Sequence, residues 1–240
     1  MNRSTSTRIT PALSLRRARA IREDEPLTSI LYQDANPEIA RRRDKHEKEL
    51  VLPRLKLSAH SRVLDIGCGI GRWADATMPV ASAYCGLDFS EGLIEYARKH
   101  CIDRRARFLV ESAENAGLMR DPREPGFDRV IVSGVLIYLN DAQVRHMVAT
   151  LENALAPSTL IYIREPVGLE TRLTLDGHWS EELKAQYSAI YRSRDELEQI
   201  VFAPLAEQGF RLVEEGPVYA DAELNNRSET RQFYFFLERA

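Results

Sequence analysis

Short apolar runs alternate with longer amphipathic stretches through the middle of the chain. The runs "RVLDI" (62–66), "AYCGL" (83–87), "ARFLV" (106–110) and "TLIYIRE" (159–165) are brief and rich in β-branched and aromatic residues, so they read as strands. The front of "FDRVIVSGVLIYL" (127–139) reads the same way and ends near Ser133. Between the strands, "GRWADATM" (71–78), "SEGLIEYARKHC" (90–101) and "DAQVRHMVATLENAL" (141–155) read as helices. In the second, Ser90 is the N-cap and Leu93, Ile94 and Ala97 share a face. In the third, opened by Asp141, Val144, Met147, Val148, Leu151 and Leu155 recur at helical spacing. Alternation of strand and helix from 62 to 165 predicts an α/β fold, a parallel sheet with helices on both faces.

The flanks have a different texture. Residues 27–52 read as one charged helix, with Ile39 and Leu50 among its few apolar positions and Pro53 as its stop. After 165 the alternation breaks, and 166–192 carry His178, Trp179, Tyr187 and Tyr191, more aromatic character than a linker needs. A helix resumes at 194–208 with Gly209 as its stop. Two more strands follow at 210–216 and 232–239. A loop over 217–231 joins them, which makes that pair antiparallel. The expected organisation is a basic, flexible leader over 1–30 and one domain over 31–240, with its core at 62–165 and an insertion at 166–192.

Composition narrows the class. The 240 residues are 44% hydrophobic, enough for one well-buried domain and short for two. A net charge of −3 gives no general case for binding nucleic acid or a membrane surface. The leader is an exception, since residues 1–22 hold six arginines and no acid. A solvated tail, a transit peptide and a phosphate-contacting arm all fit that pattern. Three cysteines at 68, 85 and 101 argue against a disulfide framework and for a reducing, cytoplasmic setting. Cysteines and histidines show no metal-ligand spacing, and no apolar run has the length of a membrane span.

The chemistry concentrates in "VLDIGCGIGRWAD" (63–75). Alternating glycines between a strand and a helix let a ligand approach the backbone and leave amides free at the helix start. The dinucleotide fingerprint G-x-G-x-x-G would need a glycine at 72, where this chain has Arg72; its third glycine is Gly71, one place early. Asp65 stands two residues ahead of Gly67. A carboxylate there suits a ligand with a cationic end better than a pyrophosphate. Asp88 closes the second strand, where a carboxylate can accept both hydroxyls of a ribose.

With these residues in place, "VLDIGCGIGRWA", "YCGLDFSEGLIEYAR", "RFLVESAEN" and "FDRVIVSGVLIYL" resemble, in order, the motifs of the class I S-adenosylmethionine-dependent methyltransferases. The resemblance implies a Rossmann-like sheet of seven strands with an antiparallel last strand, and S-adenosylmethionine (SAM) as cofactor. By the same resemblance Asp65, Gly67, Cys68, Gly69 and Gly71 form the loop at the methionine part of the cofactor. Asp88 matches the ribose acid and Phe89 flanks the adenine. Ser112 replaces the family's usual acid beside the adenine, with Ala113 retained. Ser133 and Gly134 fall under the sulfonium.

The acceptor side is less regular. Where many small-molecule members resemble "VLHHL", this chain has Ile137 and Tyr138. The catalytic candidates are Glu165, Tyr138 and His178. Tyr32, Tyr138, Arg164, Tyr187, Tyr191 and Asn226 are candidates for binding the acceptor, and the insertion at 166–192 for capping it. Each also has a plain structural alternative, such as a half-buried tyrosine or an ion pair to a neighbouring helix. The expected activity is methyl transfer to nitrogen or oxygen of a small polar metabolite, by a monomer or homodimer. A protein or RNA acceptor, and a non-catalytic SAM-binding regulatory domain, are the alternatives.

Overall fold

A computed structural model describes residues 24–31, 36–180, 185–225 and 227–240, with the side chains at 180, 185–187 and 222 outside that description. Seven strands form one sheet in the order β3-β2-β1-β4-β5-β9-β8. They are β1 (Arg62–Ile66), β2 (Ala83–Asp88), β3 (Ala106–Val110), β4 (Phe127–Ser133), β5 (Leu155–Gly168), β8 (Arg211–Pro217) and β9 (Thr230–Arg239). The first five are parallel, and β9 lies antiparallel between β5 and β8. Burial on both faces explains why β1 and β2 read as continuous apolar runs rather than alternating ones.

Two apolar layers cover the sheet. One packs α4 (Asp141–Leu151) and the C-terminal helical segment over Leu64, Val130, Ile161 and Phe235. The other packs Val51 of α1 (Pro37–Val51), Trp73 and Ala74 of α2 (Arg72–Thr77), and Ile94 and Ala97 of α3 (Glu91–His100) over Val63, Tyr84 and Phe236. All five apolar positions read for the third helix are buried, although Leu155 begins β5. Asn140, not Asp141, caps α4, in a reciprocal pair with Gln143. The C-terminal segment runs through α5 (Arg194–Leu197), a π turn at Glu198–Phe202 and α6 (Ala203–Glu207). Pro204, which has no N–H to donate, sits where the α pattern resumes.

Two stretches differ from the sequence reading. The single helix expected over 27–52 is a 3-10 turn at Pro26–Ser29 followed by α1, which starts only at Pro37. Proline pushes the residue before it into extended backbone, and Asn36 there accepts from the amide of Glu38. The irregular 166–192 holds a hairpin, β6 (Leu173–Ser180) with β7 (Ala185–Tyr191), forming a second, two-stranded sheet. Leu173, Leu175, Ala189 and Tyr191 form one side of it and pack with Ile137. Among the described residues no helix is long and apolar enough to cross a membrane.

Candidate active site

A cavity of about 550 Å³ opens at the carboxyl ends of β1, β2 and β4. The strand order reverses there, between β1 and β4, so the helices following those strands diverge and leave a crevice. The glycine loop forms one wall. Gly67, Gly69 and Gly71 have φ of +74°, +55° and +80°, conformations that residues with a Cβ rarely adopt. Space adds a second constraint, because a Cβ on Gly67 would lie 2.2 Å from Val135 Cγ2. The amides of Gly67 and Cys68 both donate to the Leu87 carbonyl, at 2.7 and 2.9 Å, which ties the loop to β2.

Asp88 locks that geometry from the end of β2. Its Oδ2 accepts from the Gly69 amide at 3.1 Å and its Oδ1 from the Ser90 amide at 2.9 Å. Ser90 holds the N-cap position of α3 without a side-chain bond, so Asp88 does the capping there. The carboxylate still lines the cavity, next to the half-exposed Phe89 ring. Ser112, Ala113, Ser133 and Gly134 line it too, as do Gly67, Cys68 and Gly69. Ser112 accepts weakly from the Glu114 amide, at 3.4 Å. Gly71 stands behind the wall as the N-cap of α2.

Asp65 is not part of the lining. It is buried beneath the loop, where its Oδ2 accepts the Tyr84 hydroxyl proton and its Oδ1 has no hydrogen-bond partner among the described residues. Burial pushes its carboxyl up to about 7, against the Tyr84 hydrogen bond and the Arg72 charge. Cys68 is buried as well, and burial raises its thiol, with Asp65 and Asp88 adding to the shift.

The support beneath the cavity was not legible in the sequence. Glu47, from α1, is fully buried behind the lining residues Arg72, Ser133 and Arg164 and ties four elements together. Its Oε2 accepts from Arg72 Nη2 at 2.8 Å. Its Oε1 accepts from the Tyr162 hydroxyl at 2.8 Å, the Ser133 hydroxyl at 3.0 Å and Arg164 Nε at 3.3 Å. Burial alone would raise this carboxyl, but the Arg72 and Arg164 charges and these hydroxyls hold it down at about 2. Arg72, raised by Glu47 and Asp44 against its own burial, lies 4.7 Å over the Trp73 ring. A charged stretch such as "RRRDKHEKEL" gives no local sign that one glutamate turns inward; a stripe of Arg43, Glu47 and Val51 at four-residue spacing is the one available signal.

The acceptor candidates divide. Tyr138 and Arg164 line the cavity. Glu165 does not. It is buried, with Oε1 accepting from the amides of Val135 at 2.8 Å and Leu136 at 2.9 Å, while Oε2 has no partner among the described residues. Burial raises its carboxyl, opposed by the Leu136 amide and the Arg164 charge. His178 is exposed on β6, away from the lining, and Tyr191 is buried under the hairpin. Tyr32 and Asn226 lie outside the described residues, as does the side chain of Tyr187. The lining also includes Ile30 and Leu31, which close over the glycine loop, with Ile30 Cγ2 3.1 Å from where a Gly69 Cβ would be.

The sheet order and the cavity at its switch point are those of the Rossmann-like fold that S-adenosylmethionine-dependent methyltransferases share. Residues 63–158 match the family described as "Methyltransferase domain". Phosphoethanolamine N-methyltransferase 1 of Triticum aestivum is 29% identical over 122 residues, which is 51% of this chain and 24% of the wheat protein. The chain thus matches about a quarter of the length of that relative. Among solved structures, a SAM-dependent methyltransferase of Leishmania major superposes with a TM-score of 0.63 at 17% identity, covering 89% of this chain and 77% of the other. The 1,6-didemethyltoxoflavin-N1-methyltransferase of Burkholderia thailandensis gives 0.61 at 16% identity, covering 82% and 78%.

The cavity fits the cofactor by its own features. Its volume lies within the range of small-molecule and cofactor sites. One wall is a glycine-rich backbone loop, the Asp88 carboxylate stands where a ribose diol would be held, and the flat Phe89 ring borders the cavity. Asp65 supplies a buried carboxyl with an unmet oxygen beneath the loop.

Proposed function

We propose that this domain transfers a methyl group from S-adenosylmethionine to nitrogen or oxygen of a small polar metabolite. The observation that carries this reading is the two-sided cavity. The glycine loop, Asp88 and Phe89 line one side, and Ser133, Gly134, Tyr138 and Arg164 line the side at the ends of β4 and β5. When bound, the cofactor supplies a methyl group on a sulfonium, already activated for displacement by an acceptor lone pair. The residues then have to align the acceptor and exclude water. Ile30 and Leu31 cover the loop. The Tyr138 hydroxyl and the Arg164 guanidinium are the polar groups that would orient a polar acceptor. A nitrogen acceptor must be neutral to attack, whereas a hydroxyl benefits from a base. The names of the wheat relative and the Burkholderia neighbour, both N-methyltransferases, favour nitrogen.

The test has two parts. Calorimetry with S-adenosylhomocysteine should show binding, and binding of NAD instead would refute the cofactor assignment. Incubation of the protein with methyl-labelled SAM and separate small-metabolite, RNA and protein fractions should put label in the small-metabolite pool. Label confined to RNA or protein would refute the acceptor class. Tight binding with no transfer to any pool would point to a regulatory role.

A further inference from the structure

The segment between β4 and α4 carries Tyr138 to the cavity on a single 3-10 turn, Leu136–Tyr138. A turn this short satisfies few of its own backbone groups. Its leading amides, Val135 and Leu136, both donate to Glu165 Oε1 from the carboxyl end of β5. Its trailing carbonyls meet a buried arginine. Arg192, just after β7, donates from Nη1 to the Leu136 carbonyl and from Nη2 to the Leu139 carbonyl, both at 2.7 Å. Arg192 is 2% exposed and Glu165 likewise 2%, so neither bond is shared with bulk water.

The same arginine fastens the hairpin. Its Nε and Nη2 both donate to Asp141 Oδ1, at 2.9 and 2.7 Å. Arg172, at the other foot of the hairpin, donates to Asp141 Oδ2 at 2.9 Å and to Glu196 Oε1 at 3.1 Å. Ile137, like Leu173 and Leu175, packs against Ala189 and Tyr191. The hairpin and the turn are therefore held as one unit by two charged feet and an apolar contact.

We propose that Glu165 and Arg192 are positioning residues. They clamp the Leu136–Tyr138 turn from opposite ends and so couple the β6–β7 hairpin to the acceptor wall of the cavity. The proposal rests on the methyl-transfer reading for its consequence, but the clamp itself can be read without activity. It turns on Glu165 Oε1 as an acceptor of two amide protons, which a glutamine oxygen can also be. A proton-transfer role would instead need the carboxyl group. Removing the acceptor altogether leaves two buried amides unmet.

Glu165→Gln and Glu165→Ala decide between these. Hydrogen exchange at the Val135 and Leu136 amides, S-adenosylhomocysteine affinity by calorimetry, and kcat and KM for an acceptor found in the labelled screen are the readouts. In Glu165→Ala, exchange at both amides should rise about tenfold or more and the acceptor KM should rise similarly. S-adenosylhomocysteine affinity should stay within about threefold. Glu165→Gln should keep the protection, the KM and the pH profile of kcat near wild type. A Glu165→Gln protein that keeps its amide protection but loses turnover would overturn the proposal in favour of a proton-transfer role. Unchanged exchange in Glu165→Ala would overturn the clamp. If Glu165→Ala does not fold, Glu165→Gln alone still separates the two. Failure of the wild type to bind S-adenosylhomocysteine would overturn the cofactor reading and leave the exchange result intact.

Discussion

Asp88 has two tasks at once, which makes it the most informative single residue. Its carboxylate fixes the Gly69 and Ser90 amides and also faces the cavity. Asp88→Ala should weaken S-adenosylhomocysteine binding at least tenfold, about 1.4 kcal/mol, as measured by calorimetry. Affinity equal to wild type would remove its assigned role. Gly67 is constrained twice, by its φ of +74° and by Val135. Gly67→Ala should cost about 1–2 kcal/mol for the backbone conformation alone and lower the melting temperature. The Cβ must also displace Val135 from the cavity wall, so binding should fall with stability. Both residues were legible from spacing, because a glycine pattern after a strand is a local property. The positions of Glu165 and His178 were not: one is drawn into backbone amides 29 and 30 residues away in sequence, the other stands on an exposed hairpin.

At the scale of elements, periodicity named the strands of the core and most of the helices, because each is set by residues within a few positions of one another. It merged the 3-10 turn with α1 and passed over the hairpin. Leu173 and Leu175 alternate as a strand should, but what they cover is Ala189 and Tyr191 of the partner strand, together with Ile137 from far earlier in the chain. The capping box at Asn140 and Gln143 is a local device whose contribution is measurable. Asn140→Ala should cost about 1 kcal/mol in denaturant unfolding. Because α4 begins where the clamped turn ends, that substitution should also raise exchange at the Leu139 amide; unchanged stability would show that Gln143 alone suffices as a cap.

At the scale of the molecule, Glu47 joins the N-terminal helix to β4, β5 and α2 through one buried carboxylate. Glu47→Gln should destabilise the fold by about 3–5 kcal/mol, since it leaves two buried guanidiniums under-compensated. The folded-state value of about 2 lies below the ordinary 4.5, so this group stabilises the protein above pH 4.5. That contribution is lost as pH falls from 4.5 toward 2. Asp65 has the opposite sign. Its folded value of about 7 lies above 3.8, so the folded state holds a proton that the unfolded chain has released. Its contribution is complete below pH 3.8 and declines as pH rises to 7, by at most about 1.4 kcal/mol per pH unit. Urea unfolding from pH 4 to 8 should show this decline, and Asp65→Asn should flatten it; an unchanged slope in the variant would place the titration elsewhere.

The sequence by itself determined the parallel α/β core, the antiparallel end of the sheet and the glycine-loop wall of the cavity. Their signals are strand and helix periods, glycine spacing and a carboxylate at a strand end, all carried by neighbouring residues. Only the tertiary structure decided what supports the cavity from beneath and behind the Leu136–Tyr138 turn. That support is built by buried charges from α1, β5 and the end of β7, far apart in sequence. Whether such a charge faces solvent, a substrate or a buried partner depends on what the fold sets opposite it.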